Sequence, residues 1–194
     1  MTTQQTPYQN VFFAHQPVFD AQGKVWGYEL YYRGDEFADT AKFPNDVKAT
    51  MEVMANLALC PDAKFRSAPV IINFPGKALL EEVPYSLHPE TTVVQIADPE
   101  SLSPELLLVL DSLKSEGYSL SLDDYRALAD HRVLYELMDI ITVSVLQAGD
   151  KELKDLVGQF PFEGRRFLAK KVETQEQFES ARDCGFTLFQ GFFF

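Results

Sequence analysis

Several residue types are scarce in this chain of 194 residues, and each scarcity argues against a class of protein. The two cysteines, Cys60 and Cys184, have no metal-binding or redox spacing, so we expect reduced thiols in a cytoplasmic protein. The three histidines are scattered singly and predict no histidine metal site. Lys and Arg number 17 against 29 Asp and Glu, and the resulting charge of −12 argues against wrapping a nucleic-acid polymer, which needs a basic surface. No apolar run is long enough to span a bilayer and residues 1–9 are polar, so we expect a soluble protein without a membrane partner.

The chain is rich in short apolar segments with the features of β-strands. At 46% hydrophobic residues it can bury one full core. The first two segments flank a polar turn with a glycine, which predicts a hairpin, and the other six alternate with helical patterns. The strand-like segments are 11–19, 24–33, 69–73, 91–96, 118–125, 140–145, 165–170 and 186–190. The sequence therefore predicts an α/β fold, a (β/α)8 TIM-like barrel with an antiparallel first strand, over residues 11–194, with a disordered segment at 1–10.

Helical signals lie between these segments. Ser103 precedes a proline and a leucine-rich run as a predicted N-cap, and Thr174 with Gln177 three residues later predicts a capping box. From Val47 onward a helical stripe that includes Met51 and Met54 is predicted to face the core. The last three residues are phenylalanines, so we expect further chain or a partner subunit to cover them.

Polar side chains end several of the predicted strands. Glu29 lies in an aromatic strand, Asn73 and Gln95 end two others, and Asp123 with Asp124 ends a fourth. The carboxyl ends of barrel strands meet at one face, so we expect these groups to converge there. A buried carboxylate needs a partner or a cation, and Glu29 is predicted to have one. The alternative for the aspartate pair is that it only caps the next helix.

Five separated motifs resemble one family in order and spacing: YELYYR, IINFP, SLDDY, LAKKVET and FQGFFF. They are similar to those of EAL domains, which in their active form are metal-dependent phosphodiesterases that linearise cyclic di-GMP. The resemblance covers about residues 11–194 and is strongest to the EAL half of bacterial signalling proteins in which an HDOD domain follows. It therefore implies an HDOD domain after this barrel.

The resemblance also implies roles for particular residues. In the family, conserved acids and an asparagine hold two divalent cations that activate the attacking water. Of these ligand positions, the ones that match here are Glu29, Asn73, Asp123 and Asp124. In addition, Arg33 matches the arginine that approaches the nucleotide phosphate, Glu173 the second acid of an AEGVE-like motif, and Gln190 the glutamine before the final glycine.

Several positions depart from the family pattern. Gln95 stands where the family has an acid, and Thr142 and Ser144 replace the lysine and aspartate of a KID-like motif. Lys170 replaces a metal-binding glutamate, and Lys171 the glycine after it. Our hypothesis is that Lys170 lies among Glu29, Asp123 and Asp124 and neutralises them. The alternative is that Lys170 points outward and water fills the pocket.

Together these departures predict an EAL-like domain without hydrolytic activity, with no metal cofactor expected. Its role would be an interaction module whose partner is its own HDOD domain, a second copy of itself or another protein. Two other functions stay open at this point. One is a metal-free receptor that meets the cyclic di-GMP phosphates with Arg33, Lys170 and Lys171. The other is an active phosphodiesterase that uses Mg²⁺ or Mn²⁺ with altered ligands.

Overall fold

A computed structural model gives the fold and describes residues 13–32, 47–60, 62–99, 101–123, 125, 128, 131–146, 149–160 and 164–194. Eight strands close into a barrel in chain order, β1 to β8. The first strand runs antiparallel to both of its neighbours, and the other strands are parallel to one another. The predicted (β/α)8 barrel with an antiparallel first strand is therefore confirmed.

The strands begin and end within about two residues of the predicted segments. Their bounds are β1 Phe13–Asp20, β2 Val25–Tyr32, β3 Val70–Asn73, β4 Thr92–Ala97, β5 Ser119–Asp123, β6 Ile140–Ser144, β7 Arg166–Lys170 and β8 Leu188–Phe189. The hairpin between β1 and β2 turns at Gly23, whose φ of 76° suits glycine, and the Asp20 carboxylate accepts two backbone N–H bonds there. This turn sets the antiparallel start of the barrel.

Helices follow β2 to β7 on the outside of the barrel. Their bounds are α1 Val47–Leu59, α2 Lys64–Ser67, α3 Gly76–Leu80, α4 Pro104–Ser115, α5 Arg132–Leu137, α6 Asp150–Gly158 and α7 Gln175–Asp183, with a 3₁₀ turn at Val83–Ser86. Both predicted caps are present: the Ser103 side chain accepts from the amide of Leu106, and Thr174 with Gln177 forms a capping box. No helix among these residues is long and apolar enough to cross a membrane.

The core has two apolar parts. A large cluster fills the space between the sheet and the helices, and includes Leu110, Leu113, Leu120 and Leu122. A smaller cluster fills the amino-terminal half of the barrel interior: Val18, Ile71, Val93, Ile140, Leu168 and Leu188. Because side chains alternate along each strand, the next inward positions form a second layer, and that layer is polar.

One local expectation was wrong in part, and two short helices were not predicted. Met51 is 54% exposed but Met54 is buried, so only part of the predicted stripe faces the core. The buried residues of α1 are Ala49, Thr50, Val53 and Met54. The short α2 and α3 were not predicted, since neither offers enough residues for a helical period to be recognised.

Candidate functional site

The polar layer lies at the carboxyl ends of the strands, where the sequence predicts a site. The register aligns Asn73 with Gln95 and Gln95 with Ser121, so adjacent strands present their polar side chains side by side. Glu29 and Gln95 are fully buried, and Thr142 and Gln190 are nearly so. Such groups are tolerated inside a barrel only when they are hydrogen-bonded.

Glu29 is the acceptor on which this network converges. Its Oε1 accepts from Gln95 Nε2 at 2.7 Å, Lys170 Nζ at 2.9 Å and Asn73 Nδ2 at 3.3 Å. Its Oε2 accepts from Gln190 Nε2 at 3.0 Å. The two carboxylate oxygens are therefore held by donors from four different strand ends.

The amides and hydroxyls bond one another as well. Gln95 Nε2 also donates to Asn73 Oδ1 at 3.0 Å, and its Oε1 accepts from Ser121 Oγ at 3.1 Å. Ser121 Oγ lies 3.4 Å from Thr142 Oγ1. A carboxamide at position 95 both donates and accepts, which a carboxylate could not do, so Gln95 suits a site without metal.

Lys170 bridges the two described acids of the site. Its Nζ lies 2.9 Å from Glu29 Oε1 and 3.0 Å from each oxygen of Asp123. The Lys170 side chain is only 14% exposed, and that of Asp123 17%. The contact that the sequence predicts between Lys170 and these two acids is present, and the ammonium turns inward.

Both partners of this ion pair stay charged in the fold. Burial by itself would raise the pKa of Glu29, but the Lys170 ammonium and the bonds from Tyr31, Lys170 and Gln190 outweigh it, so this pKa lies below its usual value. Burial disfavours the Lys170 ammonium, yet the carboxylates of Glu29 and Asp123 outweigh that cost and raise its pKa. The cluster is an internal salt bridge at neutral pH.

A divalent cation does not fit this arrangement of the described residues. Hard cations need several anionic oxygens, and here the oxygens of Glu29 and Asp123 already contact an ammonium. At an effective dielectric near 20, a divalent ion about 4 Å from that ammonium would be repelled by about 8 kcal/mol. The described residues contain no group of three or more His, Cys, Asp or Glu side chains placed to hold a metal.

The other predicted site residues divide into two groups. Arg33 and Asp124 lie outside the described residues, so their predicted roles stay predictions. Ser144, Lys171 and Glu173 are exposed rather than part of the buried network. The backbone amide of Glu173 donates to the Gln177 side chain at 2.7 Å, which places it at the cap of α7.

Two members of the network were not singled out from the sequence. Tyr31 hydrogen-bonds Glu29, and burial together with the nearby carboxylate raises the pKa of its phenol, which keeps the hydroxyl protonated as a donor. Ser121 links Gln95 to Thr142. Each lies two residues from a predicted site residue on the same strand, so the period of two could have found both.

A second buried polar cluster lies beside the site. Asp98 accepts from the Tyr135 hydroxyl at 2.9 Å and lies 2.8 Å from His131 Nδ1, and its backbone amide donates to the carbonyl of Asp123 at 3.0 Å. The Tyr135 hydroxyl accepts from the amide of Leu128 at 2.9 Å. These bonds tie β4, β5 and α5 together next to Asp123.

Comparison with known proteins adds two relatives that match over most of this chain. It is 31% identical over 190 residues to the uncharacterized protein YuxH of Bacillus subtilis, covering 95% of this chain and 46% of YuxH. It is also 31% identical over 187 residues to the cyclic di-GMP phosphodiesterase CdgJ of Vibrio cholerae, covering 94% of this chain and 43% of CdgJ. The chain thus spans less than half the length of either relative. No family model matches it.

Solved structures show the same fold. The crystal structure of an EAL domain protein from Listeria monocytogenes superimposes with a TM-score of 0.69 at 21% identity, covering 93% of this chain and 85% of that one. A closed eight-stranded barrel with an antiparallel first strand and a polar layer at the carboxyl ends of its strands defines this protein as a (β/α)8 TIM-like barrel. Within that class, the chain has the fold of the EAL domain proteins of known structure.

Proposed function

We propose that this chain is an EAL domain that does not hydrolyse cyclic di-GMP and serves as an interaction module in signalling. One observation carries the proposal: the Lys170 ammonium lies within 3.0 Å of both Glu29 and Asp123. In the family these two positions hold divalent cations, and here a side chain supplies the positive charge. Fold and chemistry are separable, so the barrel can keep a binding role after the reaction is lost.

The loss of activity follows from three substitutions acting together. Gln95 brings no negative charge to the metal site, and Lys170 brings a positive one. Thr142 is buried where the family has a lysine, and its hydroxyl lies 3.4 Å from that of Ser121, so position 142 brings no ammonium to the site. Removing one positioned catalytic group commonly costs about 100-fold or more, so the three changes together would reduce turnover by many orders of magnitude.

A metal-free cyclic di-GMP receptor is the second candidate function. Lys171 supports it, because this lysine is exposed at the carboxyl end of β7 with a left-handed φ of 61°. Lys171 directly follows β7, at the carboxyl end of the barrel strands, where a phosphate of the dinucleotide could be met. The relative CdgJ is named a cyclic di-GMP phosphodiesterase, which makes this dinucleotide the ligand to test first.

Two measurements test these functions. Purified protein is incubated with cyclic di-GMP and Mn²⁺ or Mg²⁺, and linear dinucleotide is sought by chromatography, with Asp123→Asn as a matched control. We expect no product from either protein, and turnover that Asp123→Asn abolishes would overturn the proposal. Calorimetry with cyclic di-GMP in the presence of chelator then separates the candidates: silence supports the interaction module, and micromolar heat that Lys171→Ala removes supports the receptor.

We propose that this interaction module binds other proteins or protein domains. Because the chain spans less than half of YuxH and CdgJ, a domain beside the barrel, such as an HDOD domain, is one candidate. A second copy of the chain and a separate signalling protein are the others.

A further inference from the structure

Helix α1 is apolar on its outer face as well as on the face that packs against the barrel. Its outer face has two large apolar side chains, Met51 at 54% and Leu59 at 70% exposure. The outer face of a helix on a globular protein is normally polar, whereas a helix that is apolar on all sides is usually buried in a larger assembly. The exposed residues of α1 are Lys48, Met51, Ala55, Ala58 and Leu59.

The spacing of these residues fits a second helix. Lys48, Met51, Ala55 and Ala58 follow one another at intervals of three, four and three residues, which is the spacing of a seam along which two helices pack. The distance between two packed helix axes depends on the side chains at the contact, and the alanines in this seam allow a close approach. The outer face of α1 is therefore shaped to receive a helix.

This seam is complementary to itself in one arrangement. If a second copy of α1 runs antiparallel, with Ala55 opposite Ala55, Met51 lies opposite Leu59 of the second copy. Lys48 then lies opposite Asp62, which follows the helix and whose side chain is 45% exposed. An apolar pair thus flanks the central alanines on each side, and opposite charges meet at each end.

The charges also select the direction of the second helix. In a parallel pair at the same register, Lys48 would face Lys48 and Asp62 would face Asp62, and such like-charge contacts are unfavourable. In the antiparallel pair, Glu52 lies opposite Ala58 and meets no like charge. Lys48 contacts Glu52 at 3.7 Å and Asp62 contacts Lys64 at 3.0 Å within one chain, so the contacts between copies would extend existing ion pairs.

We propose that two copies of this chain associate through the outer faces of their α1 helices, antiparallel and with Ala55 on the two-fold axis. This rests on the proposed function, since it names a second copy as the partner of the interaction module. A two-fold contact requires one surface that is complementary to itself, and the apolar pairs and the end charges of α1 meet that requirement.

The contact is small. Helix α1 has 13 residues and is about 20 Å long, and only a few side chains of each copy take part. A stable interface buries about 1,200–2,000 Å² in total, so this smaller contact is weak and depends on concentration. We expect a monomer of 22.0 kDa in dilute solution and a dimer between about 10 µM and about 1 mM. Association should stop at the dimer, because a two-fold contact closes on itself.

Sedimentation velocity with one substitution on the axis tests the association. Ala55→Glu places two carboxylates opposite each other and should weaken the dimer at least about tenfold, while glutamate keeps the helix. Leu108→Ser is the matched control, because Leu108 is 68% exposed on α4, outside this surface, and the variant should associate as wild type does. A wild type that stays monomeric throughout, or an Ala55→Glu protein that associates as wild type does, would overturn the proposal.

Cysteine cross-linking with a short bis-maleimide tests the register. In a Cys60→Ser protein, Ala55→Cys should cross-link to itself, because the two positions face each other across helix axes about 8–10 Å apart. Met51→Cys alone should not cross-link, whereas a mixture of Met51→Cys and Leu59→Cys should. A Met51→Cys protein that cross-links to itself, or an Ala55→Cys protein that does not, would contradict the arrangement.

Turnover and metal binding are measured on the monomeric Ala55→Glu variant as well as on wild type. The proposed function can therefore fail independently of the contact, since hydrolysis by the monomer would overturn that function and leave the dimer untouched.

Discussion

Replacing Lys170 by methionine perturbs the site most informatively, because it removes the charge and keeps most of the volume. Glu29 is fully buried and Asp123 is 17% exposed at its side chain, so the substitution leaves carboxylates without their cation. Breaking a buried ion pair from one side costs about 3–5 kcal/mol. For a chain of this size each kcal/mol corresponds to roughly 2–4 °C, so we expect the melting temperature at pH 7.5 to fall by about 6–20 °C.

The pH dependence of this loss follows from the two pKa shifts. The pKa of Glu29 lies below its usual 4.5, so its contribution to stability is present above pH 4.5 and is lost as the pH falls through the lowered value. The pKa of Lys170 lies above its usual 10.5, so its contribution is present below pH 10.5 and is lost as the pH rises through the raised value. In Lys170→Met, burial without the ammonium raises the pKa of Glu29. The difference in unfolding free energy between wild type and variant should therefore be largest near neutral pH and shrink toward pH 4.5.

Urea unfolding followed by circular dichroism at pH 7.5 and pH 5 measures both effects. The double variant Glu29→Gln/Lys170→Met is the control, since it removes the stranded charge and should recover part of the lost stability. A Lys170→Met protein within about 0.5 kcal/mol of wild type at pH 7.5 would refute the reasoning, because that is the effect of an ordinary surface substitution.

Three further predictions concern the site and its surroundings. Lys170→Glu should bind Mn²⁺ more tightly than wild type, because an anionic oxygen replaces the ammonium. Isothermal titration of both proteins checks this, and equal heats would contradict it. Gly191→Ala should destabilise the fold by about 1–3 kcal/mol, because a Cβ at position 191 would collide with neighbouring backbone. Gly76→Ala is the control, since a Cβ at position 76 meets nothing within 4 Å and should change stability little. The urea midpoints of the two variants compare these effects. Tyr135→Phe should cost about 1–2 kcal/mol by removing the hydroxyl that bonds the buried Asp98, and an unchanged urea midpoint would show that this bond contributes nothing.

Much of the fold could be predicted because the relevant signals are local. Each strand is a short apolar run bounded by turn residues, and the caps at Ser103 and Thr174 are set by residues three positions apart. The strand-end residues Glu29, Asn73 and Gln95 were predicted to converge, since parallel barrel strands end at one face. They do converge, through bonds of 2.7 to 3.3 Å.

The remaining features depend on tertiary packing that local patterns do not encode. The buried side of α1 is set by the strands against which it packs, so the helical period alone could not decide between Met51 and Val53. Nor could the sequence predict that Gln95 would both donate to Glu29 and accept from Ser121, because that depends on the register of three strands. Glu173 matches a family acid in sequence yet is exposed near the cap of α7.

Electron paramagnetic resonance titration of Mn²⁺ into wild-type protein tests the central claim most directly, because free and bound Mn²⁺ are distinguished without any assay of turnover. If Lys170 supplies the countercharge for Glu29 and Asp123, the signal of free Mn²⁺ should rise in proportion to the metal added, and Asp123→Asn should give the same line. Tight binding of one or two ions per chain, abolished by Asp123→Asn, would contradict the account.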